Sequence, residues 1–115
     1  MTNRNAVLIA LVLPALLTAC SGSSPSAGPP NGAALFKNHC AGCHGEAGKD
    51  KVIPNVKIDM TSPEWQKSLS DEQITKTIKL GIPAKGMPPF ATGLTDEQIH
   101  AIIADAVRKF GKEGK

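Results

Sequence analysis

At 115 residues the chain has the length for one domain with only a small core. Aromatics make up 3% of it, namely Phe36, Trp65, Phe90 and Phe110 with no tyrosine, which excludes a core built on aromatic side chains and leaves room for a bound group. The net charge of +3 includes Arg4, in a segment expected to be removed, so the remaining balance argues against a nucleic-acid partner.

The chain opens on a short polar stretch with one arginine, then a mostly apolar run ending in small residues before Cys20. This pattern predicts a secretory signal over residues 1–19, too short to span a bilayer as a mature helix. Leu17-Thr18-Ala19-Cys20 resembles the lipobox of bacterial lipoproteins, which implies that the Cys20 thiol takes a diacylglyceryl group and becomes the new N-terminus. The same resemblance places the protein outside the cytoplasm as a lipid-anchored, periplasmic molecule. Ser21, where an aspartate would favour retention in the inner membrane, favours the outer membrane. Ser21 to Pro30 reads SGSSPSAGPP, too poor in apolar side chains to offset its ordering entropy, so residues 20–30 are expected to be the lipidated cysteine and a tether. The domain is expected to occupy 31–115.

A first helix is expected from about Gly32 to His39, followed by Cys40-Ala41-Gly42-Cys43-His44. Zinc, thiol exchange and covalent haem all use two cysteines spaced this way. A structural zinc site needs four ligands, and beyond this cluster and the neighbouring His39 the chain offers only His100. A thioredoxin-like site would follow a strand in a βαβ setting, and no convincing strand precedes Cys40. Covalent haem fits the whole stretch. Cys40 and Cys43 lie three apart, so on a helical turn both thiols project to one side, and His44 follows as a neutral imidazole for iron.

The loop from Gly45 to Pro63 carries no other strong signal. Ser62-Pro63 predicts a turn and then a helix, and Ser70-Asp71-Glu72-Gln73 is a capping box before Ile74 and Ile78, with Gly81 ending that helix. Lys85-Gly86-Met87-Pro88-Pro89-Phe90 follows. Met87 offers a soft thioether on a loop stiffened by two prolines, whereas Met60 lacks such flanks, so Met87 is expected to be the second iron ligand. Thr95-Asp96-Glu97-Gln98 is a second capping box, after which Ile99, Ile102, Ile103, Ala106, Val107 and Phe110 recur at helical spacing until Gly111, which is expected to end the helix. His39 and His100 read as solvated. The lysines at Lys49 and Lys51, and at Lys76, Lys79 and Lys85, read as a solvated face or as a docking rim for an acidic partner.

From Asn31 to Phe110 the chain resembles a small single-haem class I cytochrome c. Gly32 and Phe36 stand eight and four residues before Cys40, Cys40 to Gly45 reads Cys-x-x-Cys-His-Gly, and Met87 to Phe90 reads Met-Pro-Pro-Phe. The resemblance implies an all-α fold of a few short helices wrapped around one covalently attached haem c per chain, held by Cys40 and Cys43 with His44 and Met87 as axial ligands. It implies an electron carrier, not an enzyme, cycling between Fe(II) and Fe(III), with redox partner proteins at the membrane surface and no small-molecule substrate. The alternative is a haem-based sensor or peroxidase-like enzyme with a labile sixth ligand. In this family a proline soon after the haem motif, here Pro54, presents its carbonyl to the ligating histidine, and a tryptophan, here Trp65, can donate to a haem propionate. One position departs: the family often carries an aromatic midway along the last helix, and Asp105 stands at about that place. Ile102, Ile103 and Ala106 are then the candidates for filling the crossing with the first helix.

Overall fold

The computed structural model describes residues 28–49 and 58–113. As expected, the described residues are helical, and they contain no strand, only an isolated antiparallel bridge between Ile82 and Met87. Helix α1 spans Gly32–His39, and Asn31 caps it by accepting from the Ala34 N–H at 3.0 Å. A one-turn helix, α2, follows over Ala41–His44 and carries Cys43 and His44, with Cys40 at its N-cap. Helix α3, Pro63–Ser68, begins where Ser62 Oγ accepts from the Trp65 N–H at 3.1 Å.

Helix α4, Asp71–Leu80, carries the capping box read from the sequence: Ser70 and Gln73 each use a side chain to satisfy the other's backbone N–H. That pairing meets two of the amide donors a helix start leaves orphaned. Helix α5, Asp96–Ile102, repeats the device with Thr95 and Gln98. Beyond it the axis continues through a π-helical turn over Ile103–Val107 into α6, Arg108–Glu113. The π turn is visible in the Arg108 N–H, which reaches the Ile103 carbonyl five residues back. Residue spacing alone gave no sign of this insertion.

Gly111 does not end the last helix, contrary to expectation. It lies inside α6, where a Cβ would come within 2.6 Å of Gln66 Cγ. Its value there is lack of bulk beneath another side chain, not the left-handed conformation that stops helices.

The core sits where the last helical axis meets α1 and α4. Ile99, Ile102 and Ile103 are sealed from solvent, and each fully buried side chain of this size contributes about 1.5–3 kcal/mol. Phe36 is buried beside them and meets Phe110 edge-on at 4.9 Å between ring centroids. The expected crossing of first and last helices is present, and Ile102, Ile103 and Ala106 are all buried in it. Gly32 makes it possible: a Cβ there would overlap the Ala101 carbonyl and lie 2.7 Å from the Ile102 nitrogen. Asp105, in the place of an aromatic, does a different job. Its Oδ2 accepts from the Gly32 N–H at 3.0 Å, putting a carboxylate at the N-terminus of α1, where free amides and the helix dipole both favour negative charge.

Candidate functional site

Two adjoining cavities open between α2, α4 and the loop after α4. The larger, about 280 Å³, is lined by His44, Met60, Trp65, Leu69, Thr77, Met87 and neighbouring apolar side chains. The smaller, about 120 Å³, is lined by His39, Cys40, Cys43, His44, Lys85, Met87 and Phe90 among others. Cys40, His44, Ile58, Ile82 and Met87 line both, so the two are parts of one cleft.

The cysteine pair is placed by local geometry. The Cys43 and His44 N–H groups both point back to the Cys40 carbonyl, at 3.1 and 2.9 Å, so Cys40 starts the turn that carries the other two. Both thiols are free, Cys43 exposed and Cys40 half-buried. Burial, aided by the neighbouring Cys43, pushes the Cys40 thiol up to about 11. Burial also lowers the His44 pKa below its ordinary value of 6.5, which favours the neutral imidazole that a metal requires. Among the described residues no group of three or more His, Cys, Asp or Glu is arranged to hold a metal ion, so the zinc alternative has no ligand set there.

Met87 is held by backbone, beyond what its prolines do. Ile82 and Met87 exchange two hydrogen bonds, Ile82 N–H to the Met87 carbonyl at 2.9 Å and Met87 N–H to the Ile82 carbonyl at 3.2 Å. A 3₁₀ turn over Pro83–Lys85 closes this small loop, and Gly86 takes a left-handed conformation to return the chain. On the far side the Phe90 and Ala91 N–H groups donate to the Ile78 and Lys79 carbonyls, tying the loop to the end of α4. Gly81 joins helix to loop with φ 66° and ψ −174°, a region open essentially to glycine alone. Met60 differs in kind: it is buried in the core at 8% exposure and reaches the larger cavity only.

Trp65 lines the larger cavity and packs against the core, with its backbone N–H on Ser62. His39 and His100 are exposed, as expected, and His39 lies edge-on to Phe90 at 6.4 Å. Cys20, Pro54 and Lys51 lie outside the described residues.

Two residues that organise the site were not visible from sequence patterns. Gln66 and Arg108 join α3 to the last helix behind the cavity wall. Arg108 donates from Nε to Asp71, from Nη1 to the Gln66 carbonyl and side-chain oxygen, and from Nη2 to the Leu69 carbonyl, all within 3.0 Å. The available signal was that Arg108 is the sole arginine after Arg4, since a rigid five-donor fork suits the collection of several carbonyls.

The sequence matches the family described as cytochrome c oxidase, cbb3-type, subunit III, over residues 27–104. It is similar to cytochrome c6 of Thermosynechococcus vestitus, 34% identical over 90 residues that make up 78% of each chain. In three dimensions it is similar to the KustC0563 c-type cytochrome, with a TM-score of 0.63 and 34% identity over 70% of this chain and 96% of that one. It is also similar to cytochrome c6 from the diatom Phaeodactylum tricornutum, with a TM-score of 0.56 and 26% identity over 74% of this chain and 95% of that one. The fold is thus that of class I cytochromes c.

Proposed function

Because the chain belongs to the c-type cytochrome family described as cbb3-type oxidase subunit III, and so carries one covalently bound haem c, we propose that it is an extracytoplasmic, membrane-anchored electron-transfer protein. The observation that carries this reading is that the Cys40 and Cys43 thiols, the His44 imidazole and the Met87 thioether line a single largely apolar cleft, in which His44 and Met87 line both cavities while His39 lines only the smaller and Met60 only the larger. When bound, haem c supplies a one-electron couple between Fe(II) and Fe(III).

The chain's own residues have distinct tasks. Cys40 and Cys43 would hold the porphyrin edge through their Sγ atoms, and His44 would offer a neutral ring nitrogen to the iron. Met87 offers its sulfur from the backbone-bridged loop, a soft ligand that favours the reduced state. Ile58, Ile74, Ile78, Ile82, Ile102 and Val107 keep the cleft apolar, which favours the lower iron charge in the same direction. By the family resemblance, the Pro54 carbonyl would orient His44 and the Trp65 indole would donate to a propionate, in addition to packing against the core. Among the described residues no carboxylate lines either cavity, and the one further imidazole, His39, is exposed.

Lys85 and Pro88 line the edge of the cleft, where electrons would pass to and from redox protein partners. Lys85 lines the smaller cavity, which supports an acidic partner surface docking there, whereas Lys79 is engaged by Asp96. Cys20 carries the lipid anchor and residues 21–30 the tether, so partner search becomes local. Cys20→Ser is expected to move haem-loaded protein to the soluble fraction with an unchanged visible spectrum. Retention on membranes after a salt wash would remove the lipid assignment. The carrier reading itself is tested by exposing the reduced protein to carbon monoxide: an unaltered low-spin spectrum supports it, and rapid ligand binding replaces it with the sensor reading.

A further inference from the structure

We infer that Gln66 is a positioning residue for the haem cleft, holding the wall formed by α3 and its flanks against the π turn of the last helix; the inference rests on the haem-cleft reading above. The side-chain amide makes three hydrogen bonds, with both of its donors used. Its two Nε2 hydrogens go to the Met60 carbonyl at 2.6 Å and the Val107 carbonyl at 2.7 Å, and its Oε1 accepts from Arg108 at 3.0 Å. The carbonyls can only accept and the guanidinium can only donate, so the amide has one workable orientation.

What the amide joins is the cleft. Met60 and Val107, whose carbonyls the amide joins, both line the larger cavity, and Trp65, its neighbour in sequence, lines it too. Leu69, also lining it, is fixed through its carbonyl by the same arginine that holds Gln66. From below, Gly111 lets the Gln66 side chain lie flat on α6, where a Cβ would come within 2.7 Å of its Cδ. The site is only partly buried, so a loosened clasp admits water behind the wall. Water near the haem stabilises the more highly charged oxidised state.

The amide donor is isolated by two variants of the holoprotein, Gln66→Glu and Gln66→Leu. Glutamate keeps the length and can still accept from Arg108, yet turns oxygen toward the two carbonyls. Leucine removes all three bonds. Both are expected to retain haem, to lower the midpoint potential, and to speed hydrogen exchange of the Met60 N–H, which donates to the Gly48 carbonyl at 2.9 Å, by tenfold or more. Thr95→Ala, which removes a cap away from the cavity-lining residues, is the control: it lowers the melting temperature and leaves potential and Met60 exchange alone. If the Gln66 variants melt earlier with wild-type potential and wild-type Met60 exchange, Gln66 is a stability residue only and the inference falls. Absence of haem from the wild-type protein would instead overturn the haem-cleft reading, and Met60 exchange would still test the clasp.

Discussion

Gly81→Ala should detach Met87 from its position while leaving the rest of the domain folded. At φ 66° and ψ −174° an alanine carries a backbone cost of about 1–3 kcal/mol. Its Cβ would also meet the Met87 carbonyl oxygen at 2.5 Å and the Pro88 carbonyl carbon at 2.6 Å. Those are backbone atoms of the loop that carries the ligand, so no side-chain rotation relieves the contact. The loop must move outward, which opens at least one of the two Ile82–Met87 hydrogen bonds, worth about 0.5–1.5 kcal/mol. Together these shift the loop toward an open state by about 1.5–4.5 kcal/mol, a factor of roughly 10 to 1,600 in the open-to-closed ratio. The assay is the sulfur-to-iron band in the near-infrared spectrum of the oxidised protein, with carbon monoxide binding to the reduced protein as a second reading. A weakened band and faster carbon monoxide binding are expected, with haem still attached. A variant with the wild-type band and wild-type resistance to carbon monoxide would refute the claim that loop geometry at Gly81 holds Met87 in place.

The two internal methionines should separate cleanly. Met87→Ala is expected to abolish the near-infrared band and to lower the potential by loss of the ligand, while Met60→Ala keeps the band but costs about 2–5 kcal/mol in thermal or denaturant unfolding, because it empties a buried core position; the reverse spectral pattern would assign the ligand to Met60. A pH effect follows from Asp96, whose carboxyl lies below its ordinary 3.8 chiefly because Lys79 donates to it at 2.7 Å and adds favourable charge. With the folded value depressed, what stabilisation the pair gives is present above pH 3.8 and is lost as pH falls through the lower folded value. Carbon-detected NMR titration should show the Asp96 midpoint rising toward 3.8 in Lys79→Gln, and an unmoved midpoint would count against the pairing.

What was legible in the sequence was what depends on neighbours along the chain. Ser62, Ser70 and Thr95 cap the helices expected of them, and Gly81 ends α4, because a cap involves only three or four consecutive residues. Gly32 and Phe36 were legible only through the resemblance to class I cytochromes c, which places a glycine and an aromatic at these distances before the first cysteine. The Asp105 contact with Gly32 and the Gln66–Arg108 clasp depend on partners 41 to 73 residues away, where no local rule reaches. Gly111 was misread for the same reason. A glycine at the end of an apolar pattern signals a helix stop locally, and only the fold reveals Gln66 lying across it. At the candidate site the four expected residues lie around one cleft, but the bridge from Ile82 that holds Met87 came from tertiary structure.

The central claim, covalent haem held by Cys40 and Cys43, is tested most directly by the mass of the denatured chain. Protein matured in a host that attaches haem c should carry the mass of one haem after unfolding, since thioether bonds persist when coordination is lost. Cys40→Ala combined with Cys43→Ala should remove that mass. A denatured wild-type chain without haem, or a double variant that keeps it, would contradict the account.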